Sequence, residues 1–134
     1  MGRFDGVLLV SDYDNTLVDT EGARRRDGEP PRISDRNREA LVYFIGNGGR
    51  FAMATGRALA ALEGFAEQVP MNAPAVICNG AALYDFQART YLDYIPLNDA
   101  VAGYCQAALD RFPTAAVEAY PLLESVIHAV RPNQ

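Results

Sequence analysis

Two acidic side chains, Asp12 and Asp14, lie one residue apart directly after an apolar run, and their chemistry is the most suggestive in the chain. Carboxylates this close repel each other unless a cation neutralises them or one takes a proton. Mg²⁺ prefers carboxylate, carbonyl and water oxygens, so with Mg²⁺ bound Asp12 could serve as both metal ligand and nucleophile. Asp14 could then donate and accept a proton. A solvated aspartate-rich turn is the alternative interpretation.

The element that must position this pair is a strand. Residues 7–10 are β-formers without alternation, which is typical of a strand buried on both faces of a parallel sheet. The turn formers Asn15 and Thr16 follow the two aspartates. We therefore expect both carboxyl groups at the carboxyl end of a strand, where open α/β sheets bind ligands.

A second buried strand is predicted over residues 50–54, and it ends at Thr55, Gly56 and Arg57. The next helix is expected to begin at residue 58. The Thr55 hydroxyl and the backbone N–H groups of that helix start could hold a phosphoryl oxygen, because a helix N-terminus favours anions. Threonine before a helix is equally common as a simple N-cap, so the spacing alone leaves both interpretations open.

A third buried strand is predicted over residues 75–78, and Asn79 and Gly80 follow it at the same end of the sheet. Asn79 could supply an amide to a substrate or orient Asp12. Asn-Gly is also a strong turn signal, so a purely structural role remains open.

The remaining segments are assigned from periodicity and turn residues. Residues 19–32 are predicted to be an exposed loop whose basic triplet, Arg24 to Arg26, is more often a solvated surface than a phosphate site. His128 has no partner motif and is interpreted as a packed or surface residue. The other predictions are helices over 34–45, 58–68 and 99–111, a hairpin of 83–85 with 90–92, and strands within 115–120 and 125–130.

Bulk composition sets the broad class. The 134 residues are enough for one domain with a core, and 49% hydrophobic with 22% charged residues is ordinary for a globular protein. The net charge of −5 argues against nucleic acid or an anionic membrane as partner. With two cysteines, no signal-peptide pattern and no run long enough to span a membrane, a reducing cytoplasm is the expected compartment.

Residues 12–17, Asp-Tyr-Asp-Asn-Thr-Leu, resemble the first motif, D-x-D-x-T-L, of the haloacid dehalogenase superfamily. Phosphatases of this superfamily form an aspartyl-phosphate with the help of Mg²⁺. The resemblance implies that Asp12 is the nucleophile. It also implies that Asp14 is the acid/base residue and binds the metal through its backbone carbonyl.

Two further segments resemble the Cof-like branch of this superfamily. Residues 53–57, Met-Ala-Thr-Gly-Arg, are similar to the second motif, in which a threonine binds phosphate, and this suggests that Arg57 lies near the substrate entrance. The Asn-Gly-Ala segment at 79–81 is similar to the stretch that borders the active site and leads into a cap domain. The resemblance implies an α/β fold with a Rossmann-like parallel sheet, a partial core over residues 1–81 and the beginning of an α/β cap over residues 82–134.

Two features of the superfamily have no counterpart, namely the lysine near a helix start and the acidic pair on a later strand. The three parallel strands also raise a physical problem. If they lie in the order 1-2-3, as the resemblance implies, the first has a bare apolar edge, which invites pairing with another chain. We therefore expect these residues to be the N-terminal part of a longer or cleaved protein, or else to form a homodimer or strand-swapped assembly that covers this edge.

The function expected from the sequence is a Mg²⁺-dependent phosphatase that hydrolyses a small phosphorylated metabolite, such as a sugar phosphate, through an aspartyl-phosphate. Asp12 and Asp14 carry the catalysis and the metal, and Thr55, Gly56, Arg57, Asn79 and Gly80 bind the substrate or its phosphate. The alternatives are a catalytically incomplete fragment acting as a binding or assembly module, and a phosphomutase of the same superfamily.

Overall fold

The computed structural model of the chain describes residues 1–25, 31–121 and 128–130. The chain divides into two compact units, Met1–Tyr94 and Ile95–Gln134. The predicted site residues all belong to the first unit.

The first unit is built on one five-stranded sheet. Its strands follow one another in space in the order of the chain: β1 (Leu8–Asp12), β2 (Arg50–Ala54), β3 (Ala75–Ile77), β4 (Ala82–Asp85) and β5 (Thr90–Tyr94). The first three are parallel, and the last two form an antiparallel hairpin that continues the sheet beyond β3. The predicted α/β class, the three parallel strands and the hairpin are confirmed. Because β4 pairs with β3, the hairpin belongs to the first compact unit. The assignment of residues to core and cap domains stays a prediction.

The central buried strand of the parallel part is β2, not β1. Phe51, Ala52 and Met53 are at most 4% exposed, so both faces of β2 are covered. The prediction that residues 7–10 are buried on both faces is wrong, because these four side chains are 45% to 59% exposed. Among the described residues β1 pairs only with β2, so its other edge is bare, as the order 1-2-3 implies.

The segment after the aspartates is more ordered than predicted. A short helix, α1 (Thr20–Arg25), lies inside the predicted loop of residues 19–32. Thr20 and Ala23 of this helix are buried. The side chains of the basic triplet at 24–26 lie outside the described part of the chain.

The helix predicted over residues 34–45 is confirmed as α2 (Asp35–Gly46). The Ser34 hydroxyl accepts a hydrogen bond from the Asn37 N–H at 3.2 Å, which is the expected N-cap contact. The helix ends with Asn47 as its C-cap, one residue later than predicted. α2 is the crossover that lets β1 and β2 run parallel.

The prediction of a single helix over residues 58–68 is wrong. The segment contains two 3₁₀ turns, Leu59–Ala61 and Ala66–Gln68, separated by Gly64 at φ +76°. A residue in this left-handed conformation cannot continue a right-handed helix. The apolar residues of this segment are still buried as their spacing indicated, since Leu62 and Ala66 are at most 1% exposed.

The second unit contains α3 (Ala100–Arg111) and a two-stranded antiparallel sheet of β6 (Val117–Ala119) and β7 (His128–Val130). The helix starts one residue after the predicted position. The Asn98 side chain accepts a hydrogen bond from the Ala100 N–H at 3.0 Å. The strands predicted within 115–120 and 125–130 are present in part, and residues 122–127 lie outside the described residues. No helix in the described ranges has the length and apolar character needed to cross a membrane.

Candidate active site

The loop after β1 folds back on the strand end and presents Asp12 and Asp14. The carbonyl of Tyr13 accepts backbone hydrogen bonds from Leu17 at 3.0 Å and from Val18 at 3.1 Å, which closes a tight turn. Tyr13 itself is 1% exposed, while Asp12 is exposed to solvent. The Thr16 hydroxyl donates to Oδ2 of Asp12 at 3.2 Å. The side chains of residues 12–14 thus alternate in burial. The buried Tyr13 anchors the loop, and the Asp12 carboxylate stays accessible to solvent.

The Asp14 carboxylate is held by Arg57. Nε of Arg57 donates to Oδ2 at 2.8 Å and Nη2 donates to Oδ1 at 2.6 Å, which is a bidentate ion pair. The Thr20 hydroxyl also donates to Oδ1 of Asp14, at 2.6 Å. The side chains of Arg57 and Asp14 are 23% and 33% exposed. Residues 43 positions apart in the chain thus meet at the ends of β1 and β2.

The segment that follows β2 is organised around Thr55, which is 5% exposed. Its N–H donates to the Val76 carbonyl at 2.9 Å, and its hydroxyl accepts from the Arg57 N–H at 3.2 Å. This last contact turns the chain so that the Arg57 side chain reaches the loop after β1. The element that follows is the 3₁₀ turn Leu59–Ala61, whose N-cap is Ala58, so the interpretation of Thr55 as a helix N-cap and the helix expected to begin at residue 58 are wrong.

The turn after β3 is bonded to the turn after β2. The Cys78 N–H donates to the Arg57 carbonyl at 2.9 Å, and the Asn79 N–H donates to the Thr55 carbonyl at 3.2 Å. A Cβ at Gly56 would lie 2.8 Å from Oδ1 of Asn79, so a larger residue there would make the Asn79 side chain shift.

Asn79 and Gly80 both have positive φ, of 54° and 94°, as an Asn-Gly turn requires. Both are exposed at the same end of the sheet as Thr55. Within the described residues no hydrogen bond joins Asn79 to Asp12, so the suggestion that Asn79 orients the nucleophile has no support in these contacts.

The sheet register sets how these groups converge. Asp12 lies opposite Ala54, and Ala54 lies opposite Val76. The parallel strands therefore bring the residues that follow them, including Thr55 and Asn79, to one edge of the sheet.

The electrostatics of the site are dominated by the ion pair. The hydrogen bond with Asp14 raises the pKa of Arg57 above its ordinary value and outweighs the opposing effect of burial. Burial raises the pKa of the Tyr13 hydroxyl, while the nearby Arg57 opposes that change. The guanidinium lies over the Tyr13 ring, 5.3 Å from its centroid. Arg57 is thus fixed as a cation by both a carboxylate and an aromatic face.

The donor set fits part of a Mg²⁺ shell. The exposed carboxylate of Asp12 is a hard oxygen ligand, and Mg²⁺ commonly takes one or two protein oxygens together with water and substrate phosphate. In the described part of the chain no three acidic, histidine or cysteine side chains cluster closely enough to hold a metal by themselves. The carboxylate of Asp14 is paired with Arg57, and its backbone carbonyl is a further hard oxygen that this residue could offer.

Asp12 is exposed to solvent at this edge of the sheet. A cavity of about 360 Å³ does lie in the first unit, between the 3₁₀ turns and the β4–β5 hairpin. It is lined by residues such as Leu62, Tyr84 and Arg89, and by none of the predicted site residues.

Sequence patterns missed two contributors, Thr20 and Tyr13. Thr20 lies six residues after Asp14 in a segment predicted to be loop, and a single threonine there carries no periodic or motif signal. Tyr13 occupies the variable position between the two aspartates. Alternation along a strand could have indicated that its ring faces inward.

Comparison with known proteins gives consistent matches. The family model for haloacid dehalogenase-like hydrolases matches residues 9–118. The pyridoxal phosphate phosphatase YbhA of Escherichia coli (strain K12) is 36% identical over 59 residues, which are 44% of this chain and 22% of that protein.

Solved structures match with low sequence identity. The phosphatase BT1666 from Bacteroides thetaiotaomicron superposes with a TM-score of 0.71 at 20% identity, over 94% of this chain and 41% of its own. BT4131, described as a subclass IIB sugar phosphatase, superposes with a TM-score of 0.70 at 20% identity, over 95% of this chain and 45% of its own. Matches at this identity establish the fold alone, and the chain spans less than half the length of these proteins.

Proposed function

The chain belongs to the haloacid dehalogenase-like hydrolases, and from that premise we propose that it provides the nucleophile side of a Mg²⁺-dependent phosphatase active site. The substrate class is a small phosphorylated metabolite, such as a sugar phosphate. The similarity to a pyridoxal phosphate phosphatase supports this class. The two described cysteines are free thiols, which suits a reducing cytoplasm.

One observation carries the proposal. A solvent-reachable carboxylate, Asp12, lies at the carboxyl end of β1 beside a second carboxylate, Asp14, that is paired with a cation. An exposed acid alone would be a surface residue. The combination of a solvent-exposed nucleophile, a second acid and an arginine at the ends of parallel strands suits phosphoryl transfer, which depends mainly on positioning and charge neutralisation.

The residues take the following roles. A carboxylate oxygen of Asp12 attacks phosphorus in line, and the bond from phosphorus to the ester oxygen breaks. Asp14, protonated for this step, gives its proton to the departing oxygen and then takes one from the water that attacks phosphorus and regenerates Asp12. Thr55 and the backbone around Gly56, Asn79 and Gly80 bind the remaining phosphoryl oxygens.

Mg²⁺ would be held by the Asp12 carboxylate and the backbone carbonyl of Asp14. When bound, it supplies positive charge that offsets the repulsion between Asp12 and the phosphate. Arg57 adds a fixed cation at the entrance. The chain contains no lysine, and Arg57 is a basic side chain that pairs with one of the two aspartates.

The test is hydrolysis of an aryl phosphate by the protein with and without Mg²⁺. We expect Asp12→Asn to lower the rate by about 10³-fold or more, because an amide cannot serve as the nucleophile. Asp5→Asn is the matched control, because it removes the same charge from the turn that precedes β1, at the other end of the strand. Equal rates for the wild type and Asp12→Asn would leave a binding or assembly module as the better account.

A further inference from the structure

Asp14 is held in a way that conflicts with the acid/base role, and the conflict points to a device within the site. Both oxygens of its carboxylate are engaged, Oδ2 by Nε of Arg57 at 2.8 Å and Oδ1 by Nη2 of Arg57 at 2.6 Å. Thr20 donates to Oδ1 as well. A carboxylate bound in this fork is stabilised as an anion, and its oxygens face the guanidinium instead of a leaving group.

Arg57 has its own supports, so the pair is a defined arrangement. Nη1 donates to the Ala61 carbonyl at 3.2 Å, and the guanidinium lies over Tyr13. About a quarter of the arginine side chain remains in contact with solvent, at 23% exposure. The pair therefore lies within reach of solvent and not in the core.

We propose that Arg57 is a positioning residue that holds Asp14 in a resting pair and releases it when the phosphate group of the substrate takes its place on the guanidinium. This inference rests on the proposed function. A phosphate dianion offers the same bidentate geometry as a carboxylate and carries more charge, so it competes well for arginine. The pair is partly exposed, so exchanging one anion for another does not leave an isolated buried charge.

The exchange couples substrate binding to catalysis. When phosphate occupies the guanidinium, the Asp14 carboxylate turns from Arg57 toward the departing oxygen and takes a proton from solvent, which it then gives to that oxygen. The resting pair also weakens phosphate binding, since the observed affinity is reduced by the fraction of molecules in which Arg57 is already taken. Removing the competing carboxylate should therefore tighten binding, and by more when Arg57 is present than when it is replaced, which a merely structural ion pair would not give.

The experiment measures the dissociation constant of inorganic phosphate by calorimetry at fixed Mg²⁺. Asp14→Asn is compared with Asp14 in three backgrounds, namely wild-type Arg57, Arg57→Lys and Arg57→Gln. We expect Asp14→Asn to tighten binding about tenfold with Arg57, and by less than about twofold with Arg57→Gln. Arg57→Lys keeps the charge but loses the fork, so the effect there should be intermediate.

Simple charge removal predicts something different, namely equal tightening in all three backgrounds, and that result would overturn the exchange while leaving the proposed function intact. Failure of phosphate to bind any variant would overturn both. If a variant does not fold, the wild-type protein supplies a second measurement by NMR. The ¹⁵Nε signal of Arg57 and the ¹³Cγ signal of Asp14 should shift together, with one dissociation constant, as phosphate is added. A shift of the arginine signal without the aspartate signal contradicts the exchange.

Discussion

Single residues at this site act through short polar contacts, and Thr20 is the contact that stands out. Its hydroxyl lies 2.6 Å from Oδ1 of Asp14, while Thr20 as a whole is 9% exposed. A hydrogen bond to a charged group contributes more than one between neutral groups. Thr20 therefore ties α1 to the loop that carries the two aspartates.

Replacing Thr20 with valine keeps the shape of the side chain and removes the hydroxyl. We expect Thr20→Val to lower the free energy of unfolding by about 1–2 kcal/mol, since Asp14 is partly solvated and its lost partner can be replaced by water in part. Urea denaturation measures this. Thr90→Val is the matched control, because Thr90 is exposed, and its effect should stay within about 0.5 kcal/mol. Equal losses for the two variants would contradict the role given to Thr20.

At this scale the sequence indicated the chemical groups better than their contacts. The spacing of Asp12 and Asp14 after an apolar run predicted two acids at a strand end, and that is where they lie. The pairing of Asp14 with Arg57 could not be predicted, because it depends on how the loops after two different strands fold toward each other. Local patterns contain no information about contacts between residues 43 positions apart.

The secondary-structure elements depend on a few backbone conformations, and Gly64 shows how. It has φ +76°, and an added Cβ would meet nothing within 4 Å, so any effect of a larger residue comes from the backbone alone. Gly46, the last residue of α2, also has open space around it but does not have a positive φ. The two glycines thus separate backbone strain from crowding.

Alanine at each position gives opposite expectations. Gly64→Ala should destabilise the protein by about 1–2 kcal/mol, because alanine is disfavoured in the left-handed region. Gly46→Ala should stabilise it by about 0.5–1 kcal/mol, since alanine loses less backbone entropy in a helix. Thermal and urea unfolding of the two variants measure both effects. A stable Gly64→Ala variant would mean that the break between the two 3₁₀ turns is not set by this residue.

Sequence patterns located an element well where it has a clear apolar face, a capping residue or a marked turn. Ser34 and the apolar spacing after it predicted α2, and the turn residues between β4 and β5 predicted the hairpin. The segment 58–68 was predicted as one helix because its apolar residues recur at helical spacing. The spacing of apolar residues does not reveal that Gly64 has a left-handed conformation, and this residue divides the segment into two turns.

At the scale of the whole molecule, the most exposed apolar surface among the described strands is the unpaired edge of β1. The Val7 carbonyl accepts a hydrogen bond from the Arg50 N–H at 2.9 Å, so the alternation of a strand directs the backbone groups of Leu8 and Val10 toward the open edge. These two side chains are 59% and 47% exposed. In a solution of the pure chain the available partner for this edge is a second copy of the chain.

We therefore expect the pure chain to self-associate through β1. Val10→Lys should shift it toward the monomer, because a lysine on an edge strand opposes pairing. Light scattering coupled to size-exclusion chromatography measures the mass. Val42→Lys on α2, which replaces a valine that is 56% exposed, is the control and should leave the mass unchanged. A wild-type chain that is monomeric at about 100 μM, well above a micromolar dissociation constant, would contradict this expectation.

The fold class was accessible from the sequence pattern, while the strand order 1-2-3, which the structure shows, was implied by the family resemblance. Three apolar runs, each ending in polar turn residues, are sufficient to predict a parallel α/β sheet. The burial of β1 was predicted wrongly. An apolar run shows that a strand is able to pack on both faces, but it does not show whether the described chain supplies the packing partners.

The central claim is that Asp12 accepts the phosphoryl group, and trapping that group tests it most directly. The protein is mixed with an aryl phosphate and Mg²⁺, quenched in acid during turnover, digested and analysed by mass spectrometry. The account predicts one added phosphoryl group on the peptide that contains Asp12, lost in Asp12→Asn. A phosphoryl group on another residue, or undiminished turnover by Asp12→Asn, would contradict it.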